Sequence, residues 1–158
     1  MTVRRVVLLG PPGVGVKDQA SELAERWRVP HVSMGELLGE AIAKQSDIGL
    51  AASPYVEAKE LVPDALAIKL LRRRLEQPDT MFNGWVLAGF PRTVPQAQAL
   101  DDWLTAAGLP AATVVYLKAM AGLLLNRLWT ERKPDETMPM FRRRLERHEA
   151  EIAPLLDY

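Results

Sequence analysis

Gly10-Pro11-Pro12-Gly13-Val14-Gly15-Val16-Lys17-Asp18-Gln19-Ala20 follows an apolar run, Val6-Val7-Leu8-Leu9, and leads into residues with helical spacing. A strand, a glycine-rich turn and a helix in that order form the context of a phosphate-cradling loop. The working pattern is G-x-x-x-x-G-K-[ST], starting here at Gly10. Glycines let backbone N–H groups surround phosphate, the lysine pairs with the outer phosphates, and the hydroxyl holds Mg²⁺. Val16 stands in the lysine's place, and Asp18 stands where the hydroxyl falls when one residue separates it from the lysine. Lys17 is one residue late, and one residue turns a helical side chain by about 100°. The cradle is kept; its cation is not.

Working outward, short apolar runs alternate with longer helical patterns, which predicts an α/β fold with a parallel sheet flanked by helices. Strands are expected near Arg5–Leu9, His31–Ser33, Trp85–Ala88 and Thr113–Leu117. Helices are expected over Lys17–Arg28, Gly35–Gln45, Ile48–Ala58, Asp64–Gln77, Val94–Ala107, Ala119–Thr130 and Met138–Leu156. Asp64 reads as the N-cap of its helix, and Thr137 as the cap of the last one, with Pro139 tolerated in the first turn. Trp27, Trp85, Trp103 and Trp129 read as core, as do Met138, Met140 and Phe141.

At 158 residues the chain fits one domain, 1–158. Twenty basic and twenty acidic residues cancel, so charge gives no reason to expect a nucleic acid or an acidic membrane surface as partner. With no cysteine, disulfides and thiolate zinc sites are excluded. His31 and His148 lack companions at ligand spacing, so no metal site is expected from them. The apolar run after Arg4-Arg5 is too short for a signal-peptide core or a membrane helix, and a soluble cytoplasmic protein is expected.

Further motifs follow in order. They are His31-Val32-Ser33-Met34-Gly35-Glu36, Glu60-Leu61-Val62-Pro63-Asp64, Gly84-Trp85-Val86-Leu87-Ala88-Gly89-Phe90-Pro91-Arg92-Thr93 with Gln96-Ala97, and Arg142-Arg143-Arg144-Leu145 through Ala153-Pro154-Leu155. With the loop, they resemble the adenylate kinases, nucleoside monophosphate kinases with the loop G-x-P-G-x-G-K-G-T-Q-A, along nearly the whole chain. The resemblance implies that fold, with a small nucleoside-monophosphate-binding arm at 36–61. It also implies a lid, which here shrinks to a remnant at 131–137. That family continues past the Ala-Pro-Leu region into a further strand and helix, beyond the position of Tyr158.

For the site, the resemblance implies nucleotide binding by Gly10, Gly13, Gly15, Val62, Gly89, Arg92 and Gln96. Arg127 and Arg144 take the places of arginines that reach the transferred phosphate. Three positions beyond Val16 and Asp18 also depart from the family. Ala88 replaces an aspartate that orients the waters of Mg²⁺, Met34 replaces a threonine beside the acceptor, and Gly39 replaces an arginine on the acceptor phosphate. The expectation is therefore an adenylate-kinase-like protein with impaired catalysis. It would bind an adenine nucleotide weakly, or a protein partner, as a sensor or scaffold, with Mg²⁺ disfavoured. The alternative is a slow ATP:AMP phosphotransferase in which Lys17 swings into the loop and Asp18 holds the metal. Away from ligands, Arg144 is expected to pair with Glu149 or a neighbour.

Overall fold

The computed structural model describes residues 2–158. Four strands form one parallel sheet: β1 (Arg4–Leu9), β2 (His31–Ser33), β3 (Gly84–Ala88) and β4 (Thr113–Tyr116), in the order β2-β3-β1-β4. Val7 lies opposite Leu87 on one side and Val114 on the other. A parallel sheet is covered on both faces, so its inner strands read as continuous apolar runs rather than alternating ones. β3 shows this fully, with every residue buried.

The two-residue period of a strand divides this sheet between two layers. On one face Val7, Leu9, Trp85 and Leu87 pack against helices α4 (Asp64–Leu75), α6 (Val94–Ala106) and α8 (Met138–Asp157), through Leu71, Leu100 and Leu155 among others. On the other, Leu8, Val86 and Ala88 meet Ala20 and Ala24 of α1 (Val16–Trp27). The small α1 residues let that helix lie close to the sheet, and its N-terminus is thereby fixed at the end of β1.

The remaining helices are α2 (Met34–Ala43), α3 (Asp47–Glu57), α5 (Pro78–Asn83) and α7 (Ala121–Thr130). Ser33 caps α2 by accepting from Glu36 N at 3.4 Å, and Thr93 caps α6 by accepting from Gln96 N at 3.3 Å. Both are S/T-x-x-E/Q signatures, legible in the sequence. α5 is not among the expected elements: six residues are too few to show a helical period, although Pro78 at its start is a permitted signal.

Three expectations need correction. The N-cap of α4 is Pro63; Asp64 is already helical, and its carboxylate is recruited by another helix. Thr137 sits at the N-cap of α8 but makes no side-chain cap bond. Trp129 is 39% exposed, with the Arg132 guanidinium 3.7 Å from its ring centroid, so it belongs to the surface. Trp85 and Phe141 are core as expected, while Trp27 and Trp103 are partly buried at the edges of the two clusters.

Candidate functional site

The loop after β1 keeps the geometry its glycines predict. Gly13 and Gly15 adopt φ of 87° and 90°, in the left-handed region that side chains disfavour. Gly15 is the N-cap of α1 and has no side-chain cap bond. The opening N–H groups of a helix lack intrahelical partners, so they and the helix dipole face whatever lies in the loop. Val16 opens the helix half-buried and adds alkyl surface to the α1-side cluster. A Cβ placed on Gly10 would stand 2.9 Å from Val16 Cγ2, so the valine folds back over the base of its own loop.

Two cations border this cradle. Arg127 of α7 donates through Nη1 to the carbonyl oxygens of Gly13 and Val14, both at 3.4 Å. Lys17, exposed, does not turn into the loop; its Nζ is 3.1 Å from Glu36 Oε1 at the start of α2. That pair links α1 to α2. Arg144 lies on the surface of α8, 4.0 Å from Glu136 Oε1 rather than beside Glu149. Glu136 comes from the short bridge between α7 and α8, a non-local partner that helical spacing cannot indicate.

Residues present do not fit a Mg²⁺ site of the usual kind. Asp18 is exposed in the first turn of α1, and Ala88, 4% exposed, offers only a methyl group at the end of β3. Among the described residues no cluster of three or more His, Asp or Glu side chains gathers as a metal cage.

Val62, Gly89, Arg92 and Gln96 come together elsewhere. With Met34, Leu38 and Phe90 they line a cavity of about 290 Å³ between the ends of β2 and β3, α2, α3 and the start of α4. That is the low end of the range for small-molecule sites, which combine apolar walls with a few placed polar groups. Gly89 has φ of 80°, and a Cβ there would come 3.3 Å from Met34 Cβ, so the chain passes close to α2. Gln96 is buried. Its Oε1 accepts from Arg92 N at 2.8 Å, and its Nε2 donates to Asp64 Oδ1 at 3.0 Å. The Arg92 guanidinium is exposed at the cavity wall and enters none of the ion pairs among the described residues.

Two further residues, outside the cavity lining, were missed as a pair. Tyr116 Oη lies 3.2 Å from His148 Nε2, with the rings stacked. Burial, and next the positive charge of Arg92, hold His148 below its ordinary 6.5. No local signal marks that pair, since β4 and α8 meet only in the fold. A second cavity, of about 360 Å³ between α4 and α6, shares Phe90 as a wall but holds none of the residues expected to bind nucleotide.

A parallel sheet, a glycine loop at the N-terminus of α1 and an adjoining cavity with an arginine at its wall define a P-loop α/β protein of the nucleotide-binding class. The family model described as Adenylate kinase matches residues 8–158. An adenylate kinase 1 of Nostoc sp. (strain PCC 7120) is 43% identical over 154 residues, covering 98% of this chain and 83% of its own. An adenylate kinase of Mycobacterium sp. (strain MCS) is 40% identical, covering 98% and 84%. One of Bifidobacterium longum is 39% identical over 157 residues, covering 97% and 84%. This chain belongs to the adenylate kinase family. Among the described residues no helix is long and apolar enough to cross a membrane.

Proposed function

We propose that this chain binds an adenine nucleoside monophosphate in the Arg92–Gln96 cavity and performs ATP:AMP phosphoryl transfer slowly. The observation that carries this reading is the contrast between its two halves. The acceptor cavity is formed and has an unpaired guanidinium at its wall, whereas the donor loop presents Val16 where a cation is needed. Phosphoryl transfer depends on placement and charge neutralisation more than on covalent help from protein, so the missing cation is felt chiefly in rate. Arg127 borders the loop and Lys17 stands one position on, held by an ion pair between two exposed side chains that costs at most about 1 kcal/mol to break. In this reading residues 36–61 act as the acceptor arm, residues 131–137 as a vestigial lid, and Arg144 as a further phosphate contact.

These three relatives, each named an adenylate kinase, favour a slow enzyme over a silent sensor. The sensor reading, with nucleotide binding alone or with a protein partner, is supported by the triple change at Val16, Asp18 and Ala88. The two part on Lys17→Ala. In a coupled assay of ADP formation from ATP and AMP, the variant should lose about tenfold of a slow rate, the worth of one charge-assisted bond. A rate that the substitution leaves unchanged would remove Lys17 from the chemistry, and no ADP formation by the wild type would leave binding alone.

A further inference from the structure

Gln96 does not face the acceptor cavity as a free amide. Its orientation is imposed by a closed ring of hydrogen bonds among three elements. Thr93 Oγ1 accepts from Gln96 N at 3.3 Å and donates to Asp64 Oδ1 at 2.9 Å. The same Asp64 oxygen accepts from Gln96 Nε2 at 3.0 Å, and Gln96 Oε1 accepts from Arg92 N at 2.8 Å. Each polarity in this ring is forced. An ionised carboxylate only accepts and a backbone N–H only donates, so Nε2 must face Asp64 and Oε1 must face Arg92. Turning the amide over would set a donor against a donor at Arg92 N and an oxygen against an oxygen at Asp64.

A carboxamide has two N–H donors and two oxygen lone pairs. The ring uses one of each, leaving one N–H and one lone pair on a buried side chain that lines the cavity. We propose that Asp64, at the first position of α4, is a positioning residue that fixes the donor–acceptor order which Gln96 shows to a bound base. The inference rests on the acceptor-cavity reading above and adds to it the source of base discrimination. Adenine presents a donor at its 6-position and an acceptor at N1; hypoxanthine, of nearly the same shape, presents the reverse. A locked amide satisfies one of these orders in a given pose and leaves the other unpaired, and buried polar groups left unpaired are what give a site its discrimination. Asp64 thus acts through Gln96, from a different helix and 32 residues away in the chain.

Asp64→Asn tests this. Asparagine keeps the shape but can turn either an oxygen or an amino group toward Gln96, which removes one of the two locks. Calorimetric titration of wild type with AMP and IMP should show a preference for AMP. The variant should reduce that ratio by about tenfold, the worth of one hydrogen bond to a charged group. A substitution that merely loosened the fold would lower both affinities together, and an unchanged AMP-to-IMP ratio would overturn the proposal. Hydrogen exchange of the Gln96 side-chain amide, followed by NMR without ligand, supplies an independent arm. Slow exchange in the wild type and fast exchange in the variant are expected. Exchange in the wild type as fast as at an exposed glutamine would overturn the lock, whether or not the variant folds. If wild type binds neither nucleotide, the acceptor-cavity reading fails, and the exchange result still decides whether Asp64 holds the amide.

Discussion

Val16→Lys raises the rate of ADP formation from ATP and AMP by about 100-fold. One pre-organised donor aimed at developing charge is worth about 2.7–4 kcal/mol, a hundred- to a thousandfold in rate. The lower figure is expected because Asp18, Ala88 and the short bridge of residues 131–137 persist. The backbone is ready for the change: Gly13 and Gly15 already hold the loop open, and Val16 already starts α1. Little stability should be lost, since the valine is half-buried rather than part of the deep core. Adding Ala88→Asp should give less than its share, because position 88 is buried beneath the sheet's end and a carboxylate there must be desolvated. The check is a coupled steady-state assay of wild type and variant at saturating nucleotide. A rate unchanged by the new lysine would mean that the loop is not where the chemistry is limited.

Arg92→Ala weakens AMP binding by about 10- to 100-fold and leaves adenosine binding nearly unchanged. The phosphate is the only difference between the two ligands, and a charge-assisted arginine–phosphate bond is worth about 1.5–3 kcal/mol. Gly39 stands where the family's pattern has a second arginine, and the other cation lining the cavity, Lys59, lacks the planar fork that binds phosphate bidentately. The fold should tolerate the substitution. Arg92 holds Gln96 through its backbone N–H, which alanine keeps, and its guanidinium joins none of the ion pairs among the described residues. Thermal melting should therefore stay within about 0.5 kcal/mol of wild type. Equal losses for AMP and adenosine would show that Arg92 shapes the cavity instead of reading the phosphate.

Much of the scaffold was legible because its signals are local. The apolar run before Gly10 gave β1, and the runs before Gly35 and Gly89 gave β2 and β3. Ser33 with Glu36, and Thr93 with Gln96, mark two helix starts by spacing alone. The motifs around Val62, Gly89, Arg92 and Gln96 named the residues that the fold gathers at one cavity. What stayed hidden is non-local. Asp64 has the composition of a cap, yet its carboxylate serves α6 across 29 and 32 residues of chain. Lys17 reads as a displaced loop lysine, but its partner is Glu36 on another helix. α5 is too short for a period, and Trp129 looks apolar in a helical pattern while its face of α7 meets solvent.

Calorimetric titration of the purified chain with AMP and with ATP, each with and without Mg²⁺, tests the central claim most directly. A formed acceptor cavity beside a donor loop without its cation predicts that AMP binds, that its affinity is indifferent to Mg²⁺, and that ATP binds more weakly than AMP. Tight ATP binding that requires Mg²⁺ would contradict it, and would mean that Lys17 and Asp18 have rebuilt the donor site.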